Sequence, residues 1–599
     1  MFNKFYLSHM QAKHKKYAGP VGISIILGLL SFMPRLLIVT FLSKTPEPPL
    51  EWWQTSVIYQ VYPRSFQDSN GDGVGDLQGI RSRLDHLEYI NARALWLSPM
   101  YESPMRDFGY DPSNITNIDP IFGTMEDFDE LLADVHSRGM KMILDFIPNH
   151  TSDLHKWFQA SKAGVEEYKD YYVWTDGNLT ANGTRVPPNN WKSFFGDSAW
   201  EWVEERQQFY LHQFLKEQPD LNYRNPKVVE EMTNALRFWL ERGVDGFRID
   251  AVLTMFESAD LSLNEPLNNR PGAELWQYES LEHIYTSHQP ETYEVIAKWR
   301  HLADEYYQKD GNYRFLVTEA YCETIQQAMY YYHTGADMPF NFDLVFLNRT
   351  CGGDCVDRAI SNWMTNMPIG KWPNWVIGNH DNKRIATKMG TEFVNAMNTL
   401  LLLLPGTPTT YNGEELGLTN IEVSYEDTQD PFGKRFGPER YHEVSRDPPR
   451  SPMLWDSTHS SGFSNATKTW LPVHPDYEIF NAEAQRKAEG VTPLKMYRDL
   501  SLLRQEATFQ RGTFKPLLVD ENIYSFVREL EGESLYYVIL NFGSTEAQVD
   551  LAEQGLPENG LVKLNSGDFH HSDYNVGKEI KLNKISLNPG QFLVIKYDV

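Results

Sequence analysis

Gly246-Phe247-Arg248-Ile249-Asp250 is the stretch on which the reading of this chain turns. It follows an amphipathic pattern from Val228 to Arg242 that predicts a helix, and it reads as a short strand. Alternate side chains of a strand share a face, so Arg248 and Asp250 point one way, Phe247 and Ile249 the other. Burying an arginine beside an aspartate is costly unless the two offset each other's charge and line a polar pocket. On this reading the guanidinium lowers the pKa of Asp250 and keeps it ionised, as a nucleophilic carboxylate requires.

Three further strand ends carry polar clusters. Phe315-Leu316-Val317-Thr318-Glu319 delivers a glutamate after an apolar run, and Trp375-Val376-Ile377-Gly378-Asn379-His380-Asp381 delivers an aspartate beside a histidine. Upstream, Lys141-Met142-Ile143-Leu144-Asp145-Phe146 leads into Pro148-Asn149-His150. Polar clusters at the C-terminal ends of apolar strands, with helical patterns between them, are how a (β/α)8 barrel presents an active site. The pattern places the first two strands at Val57 to Tyr62 and Ala94 to Leu97, the sixth near Met338 to Phe346 and the eighth near Thr407 to Tyr411. A closing helix follows at about Thr492 to Glu506. The polar, aromatic-rich excursion over 149–225 is too long for an ordinary barrel loop. From about Thr513 short β-type runs separated by turns predict a small antiparallel domain.

In this order the four segments closely resemble the sequence regions of the alpha-amylase superfamily, glycoside hydrolase family 13. The resemblance runs from roughly Trp52 to the C-terminus. It implies an α/β fold: a catalytic (β/α)8 barrel over 51–148 and 226–512, an inserted domain after the third strand over 149–225, and a C-terminal β-domain over 513–599. It also implies a retaining glycosidase, which needs one carboxylate as nucleophile and one carboxylic acid as acid/base. Asp250 takes the first role and Glu319 the second. Asp381 is expected to bind sugar hydroxyls and help distort the ring, with His150 and His380 donating hydrogen bonds to the same sugar.

Other segments narrow the resemblance to the alpha-glucosidase branch, in the manner of insect maltases. Gln218-Pro219-Asp220-Leu221-Asn222 is similar to that branch's short signature, and Met105-Arg106-Asp107-Phe108-Gly109-Tyr110-Asp111 to its loop after strand two. There Asp107, paired with Arg446, is expected to close the pocket around the non-reducing terminal glucose, and Tyr110 to stack on the sugar. Phe108 stands where bacterial members carry asparagine. Ala251, after the nucleophile, resembles the alpha-1,4 type, since alpha-1,6-specific relatives tend to have valine. The implied activity is release of terminal alpha-1,4-linked glucose from maltose, sucrose and short maltooligosaccharides. The rival is the amylase-like heavy subunit of a heteromeric amino-acid transporter, a scaffold in which catalytic carboxylates need not persist.

Asp68-Ser69-Asn70-Gly71-Asp72-Gly73-Val74-Gly75-Asp76 looks like the start of an EF-hand loop, but its twelfth position is Gly79 and a strand precedes it. Oxygen donors at Asp68, Asn70, Asp72, Val74 and Asp76 still suit one structural hard cation, calcium ahead of magnesium. Similar loops in the branch bind such ions.

With 55 basic against 81 acidic residues among 599, a formal charge of −26 excludes a nucleic-acid role. Three cysteines make no disulfide scaffold, but Cys351 and Cys355 are close enough to pair, leaving Cys322 as a spare thiol. Lys13, Lys15 and Lys16 precede an apolar stretch over 17–33, then Pro34-Arg35 and Leu36 to Leu42. Residues 1–50 therefore read as a leader, signal peptide or signal-anchor, with a linker, and the protein as secreted or tethered to a membrane facing outside. Sequons at Asn114, Asn178, Asn182, Asn348 and Asn465 agree.

Overall fold

The computed structural model describes residues 48–551, 554, 557–567 and 574–598. The basic and apolar segments of the predicted leader lie outside them. Eight parallel strands make the central sheet: β1 (Ile58–Val61), β2 (Ala94–Leu97), β3 (Lys141–Phe146), β4 (Gly246–Ile249), β5 (Phe315–Thr318), β6 (Met338–Pro339), β7 (Asn374–Val376) and β8 (Thr407–Tyr411). They pair in the order β6-β5-β4-β3-β2-β1-β8-β7, so the ends of the row are the sixth and seventh strands. Across that seam the Asn374 side chain accepts the Asn341 N–H at 3.3 Å and donates to Thr407 O and Thr409 Oγ1, each at 3.0 Å. This is the (β/α)8 arrangement expected.

The strands are near-continuous apolar runs because both of their faces are buried, as parallel sheets require. Buried polar residues interrupt the runs: Gln60, Asp145 and Arg248 reach the site, whereas Asn374 and the threonines of β8 bond within the barrel wall. Between β3 and β4 the helix Pro226–Glu241 starts on the Asn225 side-chain cap with proline in its first turn. It buries Val228, Met232, Leu236 and Trp239 against the barrel. The sixth strand is shorter than expected, and Asp343–Phe346 forms a 3-10 turn instead. Pro339 lacks an N–H to continue a ladder, and Asn341 Oδ1 captures the Asp343 N–H at 3.0 Å.

Residues 149–225 hold a three-stranded antiparallel sheet (Trp174–Thr175, Gln208–Leu211, Trp200–Val203) and the hairpin Asn178–Leu179 with Arg185–Val186. A second excursion, unforeseen from the sequence, runs from Ala251 to the helix Pro290–Asp310 with only 3-10 turns.

The C-terminal domain is a six-stranded antiparallel sheet that begins at Thr513, with a separate two-stranded sheet. Two fully buried arginines meet at the join, Arg504 from the closing helix of the barrel and Arg528 from the C-terminal sheet. Arg504 Nη1 donates to Leu402 O at 2.9 Å and Arg528 Nη1 to Leu403 O at 2.8 Å, meeting orphan carbonyls at the end of the helix Val394–Leu403. Cys351 and Cys355 are joined, as the sequence suggested, at the start of the helix Gly353–Asn366. There the chain touches the C-terminal sheet so closely that a Cβ on Gly353 would lie 2.1 Å from Ile523 O. Gly353→Val is therefore expected to destabilise the protein by about 1–3 kcal/mol, and thermal unfolding checks this. An unchanged melting temperature would mean that the docking tolerates a shift.

Candidate active site

The site is set by register. On neighbouring strands Asp145 and Arg248 are direct partners, so their side chains share a level and a face of the barrel interior. Arg248 Nη1 donates to Asp145 Oδ1 at 2.7 Å and also to Asp250 Oδ1, two residues on. Its Nη2 lies 3.6 Å from Glu319 Oε2, just past the end of β5. The guanidinium rests 5.4 Å from the Trp96 ring centre, a cation–π floor. One cation thus serves three buried carboxyl groups.

Burial pushes all three carboxyls above their ordinary range, and Arg248 opposes the shift in each. For Asp250 the burial, reinforced by Glu319 and Asp145, outweighs the guanidinium. The expectation that Arg248 alone holds Asp250 below the usual range is therefore corrected. Three carboxylates around one guanidinium carry a net negative charge in a low-dielectric site, and the cluster keeps a proton. Arg248 donates directly to Asp145 and Asp250, while Glu319 lies at longer range from it.

Ala251 adopts a left-handed conformation, φ 43° and ψ 39°, directly after Asp250. The turn aims its N–H at Glu319 Oε2, 2.7 Å away, and leaves Oε1 free of that contact. A β-branched residue is poorly accommodated at such a φ, which gives Ala251 a local reason to be small.

Asp381 follows β7. Burial raises its pKa, but His380, Arg450, Arg446 and Arg248 outweigh that and hold it well below the carboxylate range. Arg450 Nη2 donates to Asp381 Oδ1 at 2.8 Å, and its Nε to His380 O at 2.8 Å. Gln60 Nε2 donates to His380 Nδ1 at 2.9 Å, which fixes the tautomer with hydrogen on Nε2. That nitrogen faces the Tyr110 hydroxyl at 2.7 Å and Asp381 Oδ2 at 3.3 Å. Burial pulls His380 down to about 3 and His150 to about 4, so both are neutral at pH 7.

The outer residues fall where the sequence put them, with one difference of contact. Asp107 Oδ1 accepts from Arg446 Nη2 at 2.7 Å. Arg446 is steadied by Asp430 and lies 5.3 Å from the Phe195 ring centre. Tyr110 is parallel to His380, with ring centres 5.3 Å apart, and donates to Asp145 Oδ2 at 3.2 Å. His150 Nε2 is engaged by the Tyr110 carbonyl at 2.8 Å, which ties down the loop carrying Asp107. A small cavity lined by Trp96, Arg248, Glu319, Phe342, Asn379 and His380 opens among these groups. A larger cleft of about 470 Å³ lies elsewhere, on the inserted domain beside Asp153, Trp202 and Glu217, and holds none of these residues.

Sequence reading assigned no role to Asp145, Gln60, Arg450 or Asp430. The signal for the first two was present: each is the lone polar residue in the buried body of an apolar strand. Asp430 caps the helix Pro431–Val444 and Arg450 ends the 3-10 turn Pro448–Arg450, and their reach to the site is set by contacts distant in sequence. Of the remaining thiol, Cys322 is unpaired and half-buried, and burial pushes it up to about 12.

A barrel with three acidic groups gathered on one arginine at its C-terminal mouth defines a carbohydrate-active class. The catalytic-domain model of alpha amylase matches residues 60–512, and the chain belongs to the alpha-amylase family. It is similar to Maltase 1 of Drosophila virilis, 44% identical over 555 residues that make up 91% of this chain and 87% of the relative. It is also similar to the human amino acid transporter heavy chain SLC3A1, 42% identical over 92% of this chain and 78% of that one. Among solved structures, the alpha-glucosyl transfer enzyme XgtA superposes with a TM-score of 0.80 at 33% identity, over 92% of this chain and all of that one, 100%.

Arg248→Lys keeps a charge but not a planar fork able to meet three carboxyls. Turnover is expected to fall about 10²-fold or more. The acidic limb of its pH profile should move upward, because loss of the guanidinium disfavours ionised Asp250. An acidic limb that stays in place would show that Arg248 does not set that ionisation.

Proposed function

We propose that the chain is an exo-acting, retaining alpha-glucosidase that hydrolyses terminal alpha-1,4-linked glucose from maltose, sucrose and short maltooligosaccharides. The observation that carries the reading is the single constellation of Asp250, Glu319 and Asp381 beside a pocket ended by the Asp107–Arg446 pair. An ion pair across the far end favours a chain terminus over the middle of a polymer. Glucose enters non-reducing end first, with Tyr110 as its platform and Asp381 and His380 Nε2–H on its hydroxyls.

An Asp250 oxygen then attacks the anomeric carbon as the bond to the leaving oxygen breaks, and Glu319 gives that oxygen its proton. Asp250 and Glu319 reach the same guanidinium, which supports the short separation of a retaining pair. Water, deprotonated by Glu319, releases glucose with its alpha configuration and restores both groups. The low pKa of Asp381 keeps it anionic throughout, beside the positive charge that develops on the ring.

In this reading the loop over 68–76 holds a structural calcium through Asp68, Asn70, Asp72, the Val74 carbonyl and Asp76. Gly71 and Gly73, at φ 83° and 92°, curl the loop, and the Asp68 carboxylate already gathers the N–H groups of Asn70, Gly71 and Gly73. Among the described residues no three His, Cys, Asp or Glu side chains group as a metal site, so a calcium here would need the Asn70 amide and Val74 carbonyl oxygens among its ligands. Entry to the secretory pathway, as a soluble or tethered protein, is supported by the disulfide and by exposed sequons at Asn178, Asn182, Asn348 and Asn465. Asn114 is half-buried. No helix among the described residues is long and apolar enough to cross a membrane. The transporter-subunit reading keeps its place through the 42% identity to SLC3A1.

Glucose release from maltose, sucrose and isomaltose separates these readings. Wild type should act on the first two and much less on isomaltose, and Asp250→Asn should lose about 10³-fold or more. No release from any of the three by folded, glycosylated protein would favour the scaffold. For the metal, EDTA should lower the melting temperature and calcium restore it, while Asp72→Ala should melt early and ignore both; a melting temperature indifferent to EDTA would remove the ion from the account.

A further inference from the structure

Gly378 lies between β7 and Asp381, and its backbone does not have a positive φ. Torsion therefore does not require a glycine there; space does. A Cβ at this position would meet Glu414 Oε1 at 2.2 Å and Glu414 Cδ at 3.5 Å. Glu414 opens the 3-10 turn Glu414–Leu416 after β8 and is 2% exposed. Its Oε2 accepts the Tyr411 N–H at 2.9 Å, and Asn398 Nδ2 approaches its carbonyl at 3.5 Å. Oε1, turned onto Gly378, meets no hydrogen-bond partner among the described residues. On the adjacent peptide, Lys388 Nζ donates to Val345 O and lies 3.5 Å from Ile377 O. A buried carboxyl with a bare oxygen is expensive to keep for stability alone. Burial pushes Glu414 up to about 8, against the opposing charges of Arg384 and Lys388.

We propose that Glu414 is a positioning residue for Asp381: its carboxyl seats in the notch left by Gly378 and fixes the chain that presents Asp381 to Arg450 and the sugar. The proposal rests on the alpha-glucosidase reading and adds to that site a part that touches neither substrate nor reacting atoms.

The test is a double-mutant cycle on an aryl alpha-glucoside, whose good leaving group keeps weakened variants measurable. Glu414→Ala should lower kcat about tenfold with KM within about twofold, yet cost less than about twofold more when Asp381 is already Asn. Glu414→Gln, which keeps the shape, should retain activity within about twofold of wild type. Equal losses in both backgrounds, or full kcat in folded Glu414→Ala, overturn the proposal. Melting temperatures decide independently. Gly378→Ala should melt early, and adding Glu414→Ala should recover part of the loss. Absence of recovery removes the wedge. A wild type that turns over no glucoside refutes the glucosidase reading, and the melting series then still decides the contact.

Discussion

One guanidinium organises this molecule. Arg248 stands where β3 and β4 present their polar side chains at the same level, and three carboxyl groups share its charge. Because Asp145 and Arg248 are register partners, catalytic geometry and sheet geometry are the same fact. A slip of one residue in either strand would turn the pair to opposite faces and leave two buried charges unpaired, so the chemistry penalises mispairing of the barrel. The arrangement also sets the three apart: Asp145 and Asp250 take direct hydrogen bonds from Arg248, and Glu319, held at longer range, takes one from the Ala251 N–H.

The neutral histidines belong to the same scheme. In a site already crowded with arginines, a further cation would compete for the carboxylates. Burial removes that option for His150 and His380, and Gln60 then selects which nitrogen of His380 carries hydrogen. The rings act as oriented donors held by the backbone and by amides.

Most of the barrel was legible because a parallel strand buried on both faces writes itself as an apolar run, and its last residues announce the site. The ends of β2 and β8 coincide with that reading, and so do Asp250, Glu319, Asp381 and the Asp107–Arg446 pair. What stayed hidden was non-local. Arg450 reaches Asp381 from a loop over 60 residues away in sequence, at a separation of 69. The long excursion after β4 has no period to read. The ionisation of Asp250 could not be inferred from its neighbour Arg248 alone, because Asp145 and Glu319 join the balance only once the strands are paired. The shortness of β6 turned on a proline and an Asx turn inside an apparently continuous apolar run.

The barrel is a row of eight strands whose two ends meet through an asparagine side chain. The strand that leads to Asp381 is one of those ends, so it has a backbone ladder on one side only, to β8. Mechanically this makes β7 a cantilever. Its backbone pairing toward the strands that carry Asp250 and Glu319 runs through β8, while Gln60 of β1 and Tyr110 reach it through the His380 ring. Asp381 therefore has a different backbone footing from Asp250 and Glu319. Along the sheet, a change in β8 or its following turn bears on Asp381 through the one ladder that β7 has, and on Asp250 and Glu319 only by way of β1, β2 and β3.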